Sequence, residues 1–264
     1  MNELISSKQA WENFARDDPL WAVLTDAKMA GQKWDENAFF ETGRREIGVV
    51  FHHLDSIGIS PTAGVALDFG CGVGRLTQAL AEHFSKVHGV DISETMIAEA
   101  RRLGQRSAGC QFHVNSAPDL QLFPDSTFDF IYSSIVLQHV PVRYVKLYLQ
   151  EFVRVLKPKG ILVFQIPDQF RSNTEQQLPA WQKLRRKLRL RTRLNSWFFH
   201  KEAAEMQMNA VAESKVRRLI ERAGARVVDV QLTNSTDAAF NGNLRFLEAE
   251  PLEGWVSKQY CVVK

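Results

Sequence analysis

Cysteine is scarce in this chain of 264 residues: Cys71, Cys110 and Cys261 are odd in number, scattered, and form no Cys-x-x-Cys pair. That argues against a disulfide scaffold or a cysteine zinc site and fits a reducing compartment, so a cytoplasmic location is expected. Long apolar runs are missing too. No stretch approaches the roughly 18 continuous apolar residues of a membrane span. The first eight residues carry no basic flank leading into an apolar core, so no secretory signal is expected either. What remains is 45% apolar and 24% charged, too apolar for a disordered chain and ordinary for a globular one. The length suits the upper end of one domain, or one domain with an appendage, and no internal repeat is visible.

Charge is unevenly placed. The formal net charge is +3, yet residues 183–193 (KLRRKLRLRTR) hold seven basic residues and no acid, which leaves 26 basic against 30 acidic residues elsewhere. The sequence reads as a mildly acidic body with one basic arm, not as a basic nucleic-acid-binding protein.

Residues 1–60 read as an aromatic-rich helical cover, with Trp11, Phe14, Trp21, Trp34, Phe39 and Phe40 among polar residues. Ile47, Val50, Phe51 and Leu54 recur at helical spacing, and Gly58 and Pro61 stop them. Residues 61–264 then alternate short apolar strands with helices. Strands are predicted at 65–69, 87–90, 110–114, 128–133, 161–166, 227–232 and 259–263, and helices at about 142–156 and 211–223. The regular pattern breaks at Pro167, and residues 168–209 read as a basic insertion or lid, too long for a simple connection. Such alternation implies a largely parallel, doubly wound α/β sheet whose ligands bind at the carboxyl ends of the strands.

The strongest chemical signal is Asp68-Phe-Gly70-Cys71-Gly72-Val-Gly74, with Asp91 ending the next strand. Glycines between a strand and a helix let a ligand touch the backbone, and a carboxylate at the second strand end suits the two hydroxyls of a ribose. A dinucleotide fingerprint requires glycine where Arg75 stands, and no Gly-Lys-Ser/Thr follows for a phosphate loop. Asp68, two residues before the first glycine, repels a pyrophosphate but suits a ligand with an ammonium group. S-adenosylmethionine carries one, plus a sulfonium.

ALDFGCGVGRLT, then GVDIS, FPDSTFDFIYSSIVLQHV and VLKPKGILVFQIP, together resemble the successive motifs of class I S-adenosylmethionine-dependent methyltransferases, over about residues 62–167 and in the small-molecule branch. The resemblance implies a Rossmann-like seven-stranded sheet with an antiparallel last strand. It implies S-adenosyl-L-methionine as cofactor and S-adenosyl-L-homocysteine as product. By position, Asp68 orients the methionine amino group, Gly70 and Gly72 pack on the cofactor with Cys71 as a small residue of the turn, and Asp91 takes the ribose. Ile92 and Met96 pack on the adenine. Ser116 stands where the family often has an acid, with the backbone of Ser116 and Ala117 as the substitute contact. Ser133, Ser134 and Gln138 meet the methionine and the transferred methyl, and Arg44 is a candidate for the cofactor carboxylate.

In-line methyl transfer needs no metal, and none is expected. A base is added only where the acceptor must lose a proton, and His139 is the candidate. The expected function is methylation of an oxygen or nitrogen of a small-molecule acceptor. The basic run 183–193 leaves three ligands open: an anionic acceptor, nucleic acid or an acidic lipid surface. Nucleic acid is disfavoured, because no Asn/Asp-Pro-Pro-aromatic motif follows the fourth strand and no aromatic interleaves with the basic residues. The alternatives are a methyltransferase acting on a macromolecule or lipid through that arm, and a non-catalytic S-adenosylmethionine-binding protein. Oligomeric state is left open.

Overall fold

Alternating apolar and amphipathic segments become strands and helices through local rules that can be read residue by residue. The computed structural model describes residues 2–104, 108–172, 208–237 and 240–264. Helices α1 (Asn2–Asp17), α2 (Pro19–Val23) and α3 (Glu36–Ser56) come first. The Asp18 side chain accepts from the Trp21 amide to cap α2, and that of Asp35 accepts from the Ala38 amide to cap α3. Next come β1 (Val65–Phe69), α4 (Arg75–Leu80), β2 (Lys86–Asp91), α5 (Glu94–Leu103), β3 (Cys110–Val114) and β4 (Phe128–Ser133). Ser93 caps α5 by accepting the Met96 amide at 3.1 Å. After α6 (Val142–Val155) and β5 (Leu156–Arg171), the described chain resumes with α7 (Glu213–Arg222), β6 (Arg226–Thr233), β7 (Phe246–Leu247) and β8 (Gly254–Val263).

The strands form one sheet in the order β3-β2-β1-β4-β5-β8-β6-β7. Neighbours from β3 to β5 are parallel; β8 runs antiparallel to both β5 and β6. The expected antiparallel last strand is therefore present. The strand count is eight rather than seven, because Phe246 and Leu247 pair with Thr233 and Leu232 at the edge. Two residues are too few to show the period-2 pattern by which strands are recognised.

Pro167 does not end its strand. β5 continues to Arg171 against β8, with a register shift between Pro167 and Gln169. A bulge is where a sheet accommodates a residue that lacks an amide proton. The bulk of the predicted insertion 168–209, including the basic run 183–193, lies outside the described residues.

Alternation along the strands separates two cores. Leu67, Ile131, Leu162 and Phe164 face α6 and α7, where Leu149, Phe152, Val216 and Ile220 pack on them. Ala66, Phe130, Tyr132 and Val163 face the opposite way, onto Ile47, Val50 and Leu54 of α3 and Leu76 and Leu80 of α4. Strand order reverses between β1 and β4, which opens a crevice at their carboxyl ends. Among the described residues no helix is long and apolar enough to cross a membrane.

One buried polar knot pins the N-terminal helices to this frame. Arg75 Nη2 donates to Glu46 Oε2 at 2.7 Å, and the Tyr132 hydroxyl donates to Glu46 Oε1 at 2.9 Å; all three side chains are buried. Removing one partner of a buried ion pair leaves the other charge uncompensated. Glu46→Met is therefore expected to cost about 3–5 kcal/mol, and Tyr132→Phe about 2 kcal/mol through one hydrogen bond to a charged acceptor. Denaturant unfolding of both variants checks the order; equal losses would show that the ion pair is not the stronger hold.

Candidate active site

The crevice at the carboxyl ends of β1, β2 and β4 is a cavity of about 430 Å³. Its floor is the turn between β1 and α4. Gly70, Gly72 and Gly74 all have positive φ, at 77°, 50° and 86°. A Cβ on Gly70 would lie 2.2 Å from Val136 Cγ2, and one on Gly72 would lie 2.7 Å from Val23 Cγ2. The turn is thus sterically committed to glycine and presents bare backbone to the cavity.

Asp91, at the end of β2, is half-buried on the cavity wall. Its Oδ2 accepts the Gly72 amide and its Oδ1 the Ser93 amide, each at 2.9 Å. Burial pushes its carboxyl upward, and the hydrogen bonds from the Ser93, Gly72 and Ile92 backbone act against that shift. Three backbone donors on the roughly four lone-pair sites of a carboxylate leave acceptor capacity for a ligand donor. Ile92 and Met96 stand beside it on the wall, Met96 being 2% exposed. Cys71 also borders the cavity. Its thiol is buried, its Sγ lies 3.6 Å from the Gly72 carbonyl oxygen, and burial raises its pKa well above the ordinary value.

The wall past β4 is formed by Ser134, Gln138 and His139. The Gln138 amide nitrogen is 3.1 Å from His139 Nε2, and the Trp11 ring meets the His139 ring nearly edge-on at 5.5 Å. Trp11 belongs to α1, which lies across the cavity with Leu4 and Ser7 also on the wall. Glu12 anchors that helix on the N-terminus of α5: its Oε1 accepts the Glu94 amide at 2.6 Å and its Oε2 the Thr95 hydroxyl at 2.5 Å. A carboxylate at a helix N-terminus is held by unpaired amides and by the helix dipole.

The cavity wall therefore gathers Gly70, Cys71, Gly72, Asp91, Ile92, Met96, Gln138 and His139 from the sequence-predicted set, together with Ser134. Five predicted residues stand elsewhere. Asp68 is 1% exposed beneath the turn, where it accepts the Thr77 hydroxyl at 2.7 Å. Ser133 is fully buried and donates to the Phe69 carbonyl at 3.0 Å. Arg44 is exposed on α3 and pairs with Glu82 at 2.6 Å and Glu41 at 3.1 Å, away from the cavity. Ser116 and Ala117 are not on the wall; Asn115, the first residue past β3, takes that place and orders the turn by accepting the Ala117 amide and donating to the Asp119 carbonyl.

Sequence reasoning missed the wall contributed by distant segments: Val23 to Thr25 at the end of α2, Ser235 to Asp237 after β6, Phe240, and Trp255 at the start of β8. Trp255 faces the cavity because β8 is antiparallel, which brings its N-terminal end to the carboxyl ends of the other strands. No local pattern marks these residues. Among the described residues no cluster of three or more metal-ligating side chains occurs.

Residues 67–164 match the family described as "Methyltransferase domain". The chain is 34% identical over 124 residues to the 2-methyl-6-phytyl-1,4-hydroquinone methyltransferase of Synechocystis, a match covering 47% of this chain and 38% of that protein. It is 37% identical over 111 residues to the trans-aconitate 2-methyltransferase of Variovorax paradoxus, covering 41% and 40%. The chain thus spans about two fifths of the length of these relatives. Among solved structures, magnesium protoporphyrin IX methyltransferase from Synechocystis with bound S-adenosylhomocysteine superposes with a TM-score of 0.60, covering 99% of both chains at 16% identity. At that identity the likeness is one of fold.

The position of Asp68 has a measurable consequence. Burial pushes its carboxyl from 3.8 up to about 7, against the opposing pull of the Thr77 hydrogen bond and the Arg75 charge. A carboxyl raised in the folded state binds more protons there than in the unfolded chain. Its contribution to stability is full below the ordinary value and is lost as pH rises through about 7. Wild type should therefore lose unfolding free energy from pH ~4 to ~7.5 more steeply than Asp68→Asn, which keeps an acceptor for Thr77. Parallel profiles would mean that Asp68 is ionised throughout.

Proposed function

We propose, for a chain whose residues 67–164 form a methyltransferase domain on the class I S-adenosylmethionine-dependent fold, that it transfers a methyl group from S-adenosylmethionine to an oxygen or nitrogen of a small-molecule acceptor. The observation that carries this reading is the shared wall of one cavity: a glycine turn open to the backbone, a strand-end carboxylate with acceptor capacity left for a ligand, and apolar Ile92 and Met96 beside it. That set fits an adenosine with a methionine tail. When bound, S-adenosylmethionine supplies an electrophilic methyl on a sulfonium.

The chain's own residues then have three tasks. Asp91 accepts the ribose hydroxyls, and Gly70 and Gly72 admit the methionine chain against the backbone. Trp11, Phe240 and Trp255 enclose the acceptor end, where rings attract a methylated cation and keep out water. His139 stands at that end as the group that meets the acceptor. Orientation of donor and acceptor in line supplies most of the acceleration. On this reading residues 1–60 are a cover on the α/β domain, and Glu12 is the contact that keeps the cover over the cavity.

The described wall favours a neutral or amine-bearing acceptor over an anionic one. Its permanently charged cation, Arg75, is already paired with Glu46, whereas Asp237 brings a carboxylate to the rim. The names of the relatives span a phytyl-hydroquinone and trans-aconitate, which supports small molecules as the class and leaves the acceptor to the residues that surround it.

Two outcomes test the reading. Asp91→Ala should weaken binding of S-adenosylhomocysteine roughly 10- to 100-fold by the loss of hydrogen bonds to a charged acceptor, while His139→Ala leaves that affinity unchanged and slows transfer. Calorimetry that finds Asp91→Ala as tight as wild type removes the cofactor assignment. Radiolabelled methyl from S-adenosylmethionine, offered with a fractionated lysate, should enter the low-mass soluble fraction. Label in nuclease-, protease- or lipid-associated fractions would transfer the proposal to a macromolecular acceptor; tight binding with no label in any fraction would identify a non-catalytic binder.

A further inference from the structure

Behind the acceptor wall runs a continuous buried chain of polar side chains that the methyl-transfer reading leaves unexplained. Gln165, on β5 and 1% exposed, accepts the Ile135 backbone amide through Oε1 at 3.1 Å. Its Nε2 donates to Gln138 Oε1 at 3.1 Å and to Ser257 Oγ at 2.8 Å. Ser257 Oγ lies 2.8 Å from Thr233 Oγ1, which in turn lies 2.9 Å from Ser235 Oγ on the cavity wall. At the other end, Gln138 Nε2 lies 3.1 Å from His139 Nε2.

Hydroxyls in such a chain can turn to suit either direction, but a backbone N–H can only donate. The Ile135 amide therefore fixes Gln165 with its oxygen toward position 135 and its nitrogen toward Gln138. A nitrogen there demands an acceptor, so Gln138 must present Oε1 to Gln165 and its own nitrogen to His139. An amide nitrogen can meet an imidazole nitrogen at this distance only if the imidazole nitrogen is unprotonated.

We propose that Gln165 is a positioning residue which, acting through Gln138, holds His139 as the Nδ1–H tautomer with the Nε2 lone pair capped by the Gln138 amide. Its significance at the acceptor rests on the methyltransferase reading; the tautomer itself does not. The capped Nε2 is not the atom that takes a proton from the acceptor. His139 instead gives the acceptor end a fixed shape and a fixed hydrogen-bonding polarity, which suits an acceptor that attacks with a lone pair it already has. Leaving buried donors of the network unpaired is costly, so the tautomer is held by the whole chain rather than by one contact.

The test is a long-range proton–nitrogen correlation spectrum of the full chain labelled with ¹⁵N-histidine, at pH about 8, above the ordinary imidazole range. The His139 signals are assigned by their disappearance in His139→Ala. Wild type should show Nδ1 protonated and Nε2 as the unprotonated, downfield nitrogen. Gln165→Met, which keeps length and volume but touches His139 nowhere, should release Gln138 and bring in a substantial Nε2–H population, as should Gln138→Met. A wild-type Nε2–H tautomer overturns the proposal, and so does a Gln165→Met spectrum identical to wild type. Should Gln165→Met not fold, the wild-type spectrum and Gln138→Met decide. A failure here leaves the lysate-labelling result standing, and a failure of labelling leaves the tautomer standing.

Discussion

The two oxygens of Asp91 are the hinge on which the cavity is built. One takes the Gly72 amide and the other the Ser93 amide, so a single carboxylate ties the turn after β1 to the start of α5. The Gly70 amide meets the Val90 carbonyl at 2.7 Å and the Cys71 amide meets it at 3.0 Å, which draws the same turn toward the end of β2. Three left-handed glycines alternate with Cys71 and Val73 in this turn, and these bonds fix the Gly70–Gly72 part of it. With the turn fixed, the backbone faces the crevice where strand order reverses, and a ligand finds unpaired acceptor capacity there without further movement.

The N-terminal helices act on this arrangement from two sides. Beneath, α3 sends Glu46 to Arg75, the residue directly after the last glycine of the turn, so the start of α4 is fixed by a buried charge pair. Above, α1 lies across the opening with Glu12 on the amides of α5 and Trp11 against His139. The same carboxylate chemistry recurs in Asp91 and Glu12, both acting on backbone donors around the start of α5. Charge-assisted bonds of this kind are stronger than neutral ones, which makes them suitable for holding a cover over a solvent-facing cavity.

Part of the cavity wall lies inside the stretch that matches the family and part outside it. The family match covers residues 67–164, which include the glycine turn, Asp91, Met96 and His139. The rest of the wall comes from Leu4 to Thr25 and from Met208 to Trp255, outside that stretch. The matched stretch thus supplies the turn and the strand-end carboxylate, and segments outside it supply the remainder of the wall. The polar chain from His139 to Ser235 runs through Gln165 and Ser257, and so links the matched stretch to the wall outside it.

The strand–turn–helix order, the glycine turn, the acid closing β2 and the helical N-terminus were all legible from local pattern, because each depends on neighbours within a few residues: alternation of apolar positions, a capping serine, a left-handed turn. Pro167 misled for the same reason, since a bulge is a property of the partner strand and not of the proline. β7 was invisible because two residues carry no period. The misplacement of Asp68, Ser133 and Arg44 is of another kind. Which way a strand-end side chain points, and whether Thr77 or Glu82 claims it first, depends on residues that meet only after the sheet has closed. Local sequence thus decided that there would be a carboxyl-end crevice with a glycine floor and a carboxylate beside it. Only the packed structure decided that Trp255, Asp237 and Asn115 reach that crevice, that Asp68 lies beneath it, and which nitrogen of His139 bears the proton, because each of these is settled by contacts between segments far apart in the chain.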